Sequence, residues 1–210
     1  MKHMNLPNKL TVIRLCLVPV CILFILLEGV INPFLAAFLA ALVFSAASFT
    51  DMIDGKIARK YNLITDFGKF VDPLADKFMV IGCMLAILQR YGSIREWYFW
   101  VVLVVVFREF AVTSLRLICS KSTGVVVAAN WLGKVKTTMQ IINILCVLLE
   151  PVIYHLLFVL ILKDGGSKIA GFLEKCPPLT VVSSVLVVIY TLWSGINYLK
   201  AYGGHLRESM

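Results

Sequence analysis

Charge is scarce in this chain. Only 15% of its 210 residues are Asp, Glu, Lys or Arg, while 60% are hydrophobic and the mean hydropathy is +0.90. That balance excludes an ordinary soluble domain and reads as an all-α, polytopic membrane protein forming one domain over residues 1–210. Cysteine is equally uninformative as a framework. Cys16, Cys21, Cys83, Cys119, Cys146 and Cys176 lie mostly inside apolar runs without CxxC spacing, so they read as small hydrophobes and not as disulfides or metal ligands. No small-residue cleavage site follows the first apolar run, which carries Arg14, and this argues against a removed signal peptide. Internal repeats and low-complexity segments are lacking. The basic residues are scattered over membrane-proximal loops without a stripe of stacking aromatics, which excludes nucleic acid as a partner.

What is abundant is apolar sequence. Runs at 10–27, 33–49, 78–89, 97–120, 139–149 and 179–199 predict six transmembrane helices. The third and fifth are short and borrow length from the polar segments 66–77 and 130–138. Asn8 is a candidate N-cap for the first helix, with Pro19 a kink point inside it. Asn32-Pro33 opens the second helix, which is expected to continue through 50–60 and carry Asp51 and Asp54 at its inner end. Residues 62–65 form the turn, and Thr65 or Asp66 caps the third helix. Glu150-Pro151 interrupts the fifth run, leaving 152–162 as a kinked extension, an interfacial segment or a re-entrant one. With the amino terminus inside, fifteen of the twenty Lys and Arg fall on the inner face, so both termini are expected to be cytoplasmic. The net charge of +8 has two readings: topology signals with attraction to anionic headgroups, or an anionic substrate.

Acidic residues are few, yet four of the twelve, Asp51, Asp54, Asp72 and Asp76, fall in one short stretch at the expected inner face. An Asp at the centre of a membrane helix costs roughly 2.5–3.5 kcal/mol, so the cluster requires a compensating cation. On helices, Asp51 and Asp54 at i,i+3 and Asp72 and Asp76 at i,i+4 each share a face. Two such pairs facing each other make a divalent-metal cage. Oxygen ligands without His or Cys select Mg²⁺ or Mn²⁺, and four carboxylates suit two ions acting on a phosphoryl group. Gly55 and Ala58 leave room for close approach of a substrate, Arg59 offers a planar fork to a diphosphate, and Gly68 permits close approach of the third helix.

The pattern Asp51-x2-Asp54-Gly55-x2-Ala58-Arg59-x8-Gly68-x3-Asp72-x3-Asp76 resembles the signature of the CDP-alcohol phosphatidyltransferases without a departure. The resemblance implies a six-helix membrane fold, a homodimer, and displacement of CMP from a CDP-linked lipid by an alcohol. By position, Asp51, Asp54 and Asp72 would hold one metal and Asp51, Asp72 and Asp76 the second, with Asp76 also the base that takes the acceptor hydroxyl proton. Asn8, Thr11, Gly55, Ala58, Arg59, Thr65 and Gly68 fall on or beside the positions that contact the CDP-lipid. Segments 5–14, 72–77, 108–116 and 133–138, and the 192–195 region, are similar to the bacterial branch of the family that uses sn-glycerol 3-phosphate as acceptor. That branch implies CDP-diacylglycerol as donor, the bacterial inner membrane as location and an active site on its cytoplasmic side. Segment 150–178 departs, being longer than expected there.

A glycerol 3-phosphate acceptor brings a dianion that needs cations. Arg108 sits inside an apolar run with Val104 and Val112 at i−4 and i+4, so no carboxylate one turn away on its own helix accounts for it, and it reads as a functional cation, the alternative being a structural pair with Glu109 or with a carbonyl of another helix. Arg116 and Lys134 are expected to join it at the acceptor phosphate, with Glu109 orienting a partner. Lys69, Lys121 and Lys136 read as solvated or headgroup-facing, His155 as packed or interfacial, Asp66 as a cap, and Trp97, Tyr98 and Trp100 as an outer aromatic belt. Rival readings are the same transfer to serine, inositol phosphate or a lipid as in cardiolipin synthesis, and a divalent-cation transporter. The transporter predicts carboxylates strung across the membrane, whereas these cluster on one side.

Overall fold

The computed structural model describes residues 5–27, 30–61, 65–123, 131–161 and 176–208. These residues form six helices: α1 (Leu6–Leu26), α2 (Pro33–Lys60), α3 (Asp66–Arg90), α4 (Arg95–Thr123), α5 (Trp131–Ile161) and α6 (Pro178–Glu208). Five of them are long and apolar enough to cross a membrane. α3 falls short of that standard because Asp66, Lys69, Asp72, Asp76 and Lys77 occupy its first half and Arg90 ends it.

Local signals set the helix starts. Asn5, in extended backbone, is the N-cap of α1, and Pro7 lies in the first turn. Asn8 is therefore inside the helix and not its cap, which corrects the expectation and frees its side chain for another task. Asn32 Oδ1 accepts from Phe34 N at 3.0 Å and opens α2, which runs unbroken to Lys60 and carries Asp51 and Asp54 on its last turns. Thr65, not Asp66, caps α3 by accepting from Gly68 N at 3.1 Å. α3 and α5 do take in the polar segments beside their apolar runs.

Glu150-Pro151 does not end α5, which continues through Pro151 to Ile161. Glu150 instead turns into the bundle, only 1% exposed, and caps the next helix from outside it. Its carboxylate accepts from Leu179 N at 2.9 Å, from Thr180 N and Thr180 Oγ1 at 2.7 Å each, and from Tyr154 Oη at 2.7 Å. These amides belong to the first turn of α6, whose N–H groups have no partner within the helix and favour a negative charge.

α1 packs against α2 and α3, α5 joins α2 to α6, and α4 lies on α6 and α3. One apolar cluster draws on all six helices, including Val18, Phe44, Met84, Val105, Leu148 and Val187. Large apolar side chains such as Leu23, Leu42, Leu103 and Val182 point outward, as lipid-facing positions require. Tyr98 departs from the aromatic belt expected of it. It is fully buried and donates to Asn143 Oδ1 at 2.9 Å, while Asn143 Nδ2 donates to Ser183 Oγ and Ser184 Oγ at 2.9 Å. Trp100 stays exposed, and Trp97 packs edge-on to Tyr98. His155 stacks on Phe34 with ring centroids 3.5 Å apart, a packed position remote in role from the acidic cluster.

Candidate active site

The last turns of α2 and the first turns of α3 bring the four signature aspartates against α1. Arg14 of α1, with no exposed surface, meets three of them. Its Nη1 lies 2.9 Å from Asp51 Oδ1 and 2.9 Å from Asp76 Oδ1, and its Nη2 pairs with Asp54 Oδ2. One turn earlier on α1, the Thr11 hydroxyl donates to Asp72 Oδ1 at 2.6 Å, with the Pro7 carbonyl at 3.1 Å. Every signature carboxylate thus has a partner on α1. Asp54 is the enclosed member, with 7% of its side chain exposed, whereas Asp51 and Asp76 retain 34% and 43% and so can meet a substrate.

Beside them, Thr65 both caps α3 and donates to Asn8 Oδ1 at 3.0 Å, tying α3 to α1. Gly68 lies at this junction. A Cβ there would stand 3.0 Å from Asn8 Oδ1, 3.3 Å from Thr65 Oγ1 and 3.7 Å from Asp72 Oδ2, so glycine is what lets the helices approach so closely. Asn8, Thr11, Thr65 and Gly68 are therefore gathered around Asp72. Gly55 lies one residue past Asp54 on α2. The side chains of Ala58, Arg59, Asp66, Lys69 and Lys121 lie outside the described ones.

A second polar cluster forms where α4, α5 and α6 meet. Phe107 and Phe110 point outward from α4 while Arg108 points in, with 8% of it exposed. Arg108 Nη2 donates to Ser194 Oγ at 2.6 Å, Nη1 lies 3.4 Å from Glu109 Oε1, and the guanidinium carbon stands 5.7 Å from the Tyr198 ring centre. Arg116 faces the same ring at 5.2 Å, and its Nη2 donates to Tyr198 Oη at 2.6 Å. Lys136 Nζ pairs with Glu109 Oε1. Lys136 is buried, which corrects its reading as a solvated residue. Lys134, two residues earlier, is exposed, and its side chain is not brought to this cluster. Glu109 orients partners, as expected of it, by serving Arg108 and Lys136 together.

Lys77 ties α3, which carries Asp72 and Asp76, to α4, which carries Arg108. Lys77 follows Asp76 and its Nζ donates to Thr113 Oγ1 at 2.7 Å; the Thr113 hydroxyl in turn donates to the Glu109 carbonyl at 2.7 Å. Among the described residues, no group of three or more Asp, Glu, His or Cys is disposed around one point to hold a metal ion, and the Arg14 guanidinium lies among the carboxylates. The donor set is still all oxygen, drawn from two helices onto one region, and that chemistry fits a hard divalent cation.

Residue-level reading of the sequence missed Arg14, Lys77, Lys136, Ser194 and Tyr198 as site residues. A signal existed for Arg14. With Leu10 and Val18 at i−4 and i+4, it is an intramembrane cation without a partner one turn away on its own helix, the same argument that singles out Arg108. Lys136, Gln140, Asn143 and Glu150 recur at three-, four- and seven-residue steps on α5, a polar stripe that marks its bundle-facing side.

The family model for CDP-alcohol phosphatidyltransferase matches residues 4–193. The chain is 44% identical over 160 residues to the CDP-diacylglycerol–glycerol-3-phosphate 3-phosphatidyltransferase of Bacillus subtilis, a match covering 72% of this chain and 80% of that protein. It is 38% identical over 200 residues to the protein of the same name from Rickettsia felis, and 34% identical over 201 residues to that of Escherichia coli K12. Each of these matches covers 94% of both chains. With the signature intact, its carboxylates assembled in space and the family model spanning most of its length, the chain belongs to the CDP-alcohol phosphatidyltransferase family.

Proposed function

We propose that this protein transfers a phosphatidyl group from CDP-diacylglycerol to sn-glycerol 3-phosphate, giving phosphatidylglycerophosphate and CMP. The observation that carries the reading is the presence of two opposite clusters on neighbouring helices: four aspartates at the α2–α3 ends and cations around Glu109, with Lys77 bonding α3 to Thr113 of α4. A transfer between a diphosphate lipid and a phosphorylated alcohol needs both. The names of the relatives supply the same donor and acceptor.

In this reading Asp51, Asp54 and Asp72 hold one Mg²⁺ or Mn²⁺, and Asp51, Asp72 and Asp76 the second. Such ions polarise a phosphoryl group and stabilise attacking and leaving oxygens. Asn8, Thr11, Gly55, Ala58, Arg59, Thr65 and Gly68 form the side that receives the CDP-lipid. Arg108, Arg116 and Lys136 take the acceptor phosphate; Lys134, exposed at the start of α5, is left to attract it from solvent. Asp76, the most exposed of the aspartates that Arg14 meets, takes the proton from the acceptor hydroxyl. The hydroxyl oxygen then bonds to the phosphatidyl phosphorus as its bond to the CMP oxygen breaks, and CMP leaves with that electron pair.

The α3 helix completes six spans, with its polar first half held among the other helices, and both termini and the site face the cytoplasm of a bacterial inner membrane. The homodimer rests on family resemblance. Purified protein supplied with CDP-diacylglycerol, Mg²⁺ and labelled glycerol 3-phosphate, serine or inositol phosphate tests the assignment. Label should enter lipid from glycerol 3-phosphate alone; incorporation of serine or inositol phosphate in its place would reassign the acceptor.

A further inference from the structure

Arg14 has no assigned part in the transfer, yet it makes more ion pairs than any other described residue. It is fully buried, both terminal nitrogens are spent on Asp51, Asp54 and Asp76, and among the described residues its Nε has no hydrogen-bond partner. We infer that Arg14 is a built-in counter-cation: it holds the carboxylate cage together in the metal-free protein, and incoming divalent ions displace it from these aspartates. The inference rests on the proposed reading of the four aspartates as metal ligands.

Three observations support it. First, carboxylates from two helices crowd one region and repel, and Arg14 is the cation placed between them. Asp72 is stabilised separately by the neutral Thr11 hydroxyl. Second, the oxygens that Arg14 engages, Asp51 Oδ1, Asp54 Oδ2 and Asp76 Oδ1, come from three of the four proposed ligands. A Mg²⁺ ion seeks carboxylate oxygens at about 2.0–2.1 Å, so a guanidinium lodged among three of these carboxylates competes with it for their negative charge. Third, the charges match an exchange. One guanidinium leaves four carboxylates with a formal excess of three negative charges, whereas two divalent ions neutralise all four. A single fixed cation therefore assembles the cage without satisfying it. With Nε unpartnered among the described residues, the three carboxylates are the hydrogen-bonding partners that release would break, along with the packing of a fully buried side chain.

The test compares chelator-treated wild type with Arg14→Met in detergent, measuring Mn²⁺ binding by the electron paramagnetic resonance of the free ion, and thermal midpoints with and without Mn²⁺. A charge-assisted contact of this kind is worth roughly 10-fold or more in binding, so Arg14→Met should bind Mn²⁺ at least about 10-fold more tightly. Its metal-free midpoint should fall, and the rise in midpoint on adding Mn²⁺ should exceed that of wild type. Unchanged or weaker Mn²⁺ binding in a folded Arg14→Met protein overturns the inference and leaves Arg14 a structural pin. Should Arg14→Met not fold, Arg14→Lys decides: one ammonium cannot bridge three carboxylates, so Mn²⁺ binding should tighten, and binding no tighter than wild type overturns the inference. Asp72→Asn removes a ligand that Arg14 does not touch and should weaken Mn²⁺ binding in both backgrounds. If it does not, the metal reading of the aspartates fails, and the displacement fails with it, whatever the Arg14 variants show.

Discussion

Asp76 belongs to the acidic cluster and Arg108 to the basic one, and single substitutions separate their proposed roles. A general base contributes about 10²–10⁴-fold, so Asp76→Asn should lower kcat by that order while the KM for CDP-diacylglycerol changes much less. A defect confined to KM would make Asp76 a binding residue only. Arg108→Ala removes a charged donor from the acceptor side. At roughly 1.5–3 kcal/mol for such a bond, the kcat/KM for glycerol 3-phosphate should fall about 10–150-fold with CDP-diacylglycerol binding nearly unchanged. The reverse pattern, donor affinity lost and acceptor affinity kept, would move Arg108 to the diphosphate. Steady-state kinetics with each substrate varied in turn distinguishes these outcomes. Glu109 links the neighbouring cations to one another, because a single carboxylate holds both Arg108 and Lys136 in a buried setting where two unpaired cations would be costly.

At the scale of elements, α6 is placed by contacts at both ends. Its carboxy-terminal half supplies Ser194 and Tyr198 to the two arginines, while its first turn is held by the Glu150 carboxylate on Leu179 and Thr180. Between them, Asn143 of α5 bonds Ser183 and Ser184, so the α5–α6 seam is fixed in register by polar contacts and not by apolar packing alone. Glu150→Ala leaves the first turn of α6 without its cap. Hydrogen bonds to a charged group contribute about 1.5–3 kcal/mol, so the variant should melt several degrees lower in detergent. Thermal unfolding followed by circular dichroism checks this. An unchanged midpoint would show that the first turn of α6 is held by packing, and any loss of activity should then be absent too.

For the whole molecule, the proposed orientation follows from the unequal distribution of Lys and Arg, and it places the start of α6 outside. Cys176 is exposed just before that helix. In a variant where Cys176 is the sole remaining cysteine, a membrane-impermeant maleimide applied to intact spheroplasts should label it without permeabilisation. Labelling that appears only after the membrane is opened would invert the topology and move the aspartates to the outer face. The packing also explains how so polar a segment as the first half of α3 is accommodated. α3 contacts α1, α4 and α5, and there Asp76 meets Arg14, Asp72 meets Thr11 and Lys77 meets Thr113.

The helical class of this protein, its six helices and its acidic centre were legible from residues alone, because these depend on local physics. Apolar run length fixes what can cross a bilayer, and i,i+3 and i,i+4 spacing fixes which carboxylates share a helix face. Only the tertiary structure decided which side chains answer those carboxylates. Arg14 and Thr11 lie about forty to sixty residues from the aspartates in sequence, and their roles exist only once α1 packs against α2 and α3. The exchange of Lys134 for Lys136 at the cation cluster has the same origin. Both are lysines near the start of α5, and only the polar stripe that Lys136 shares with Gln140, Asn143 and Glu150 separates them in sequence. A rotation of two residues around a helix turns one into the bundle beside Glu109 and leaves the other exposed. Tyr98 and Glu150 follow suit, read locally as a belt residue and an interruption of an apolar run, and made into a core hydrogen bond and a cap by partners that their own segments do not contain.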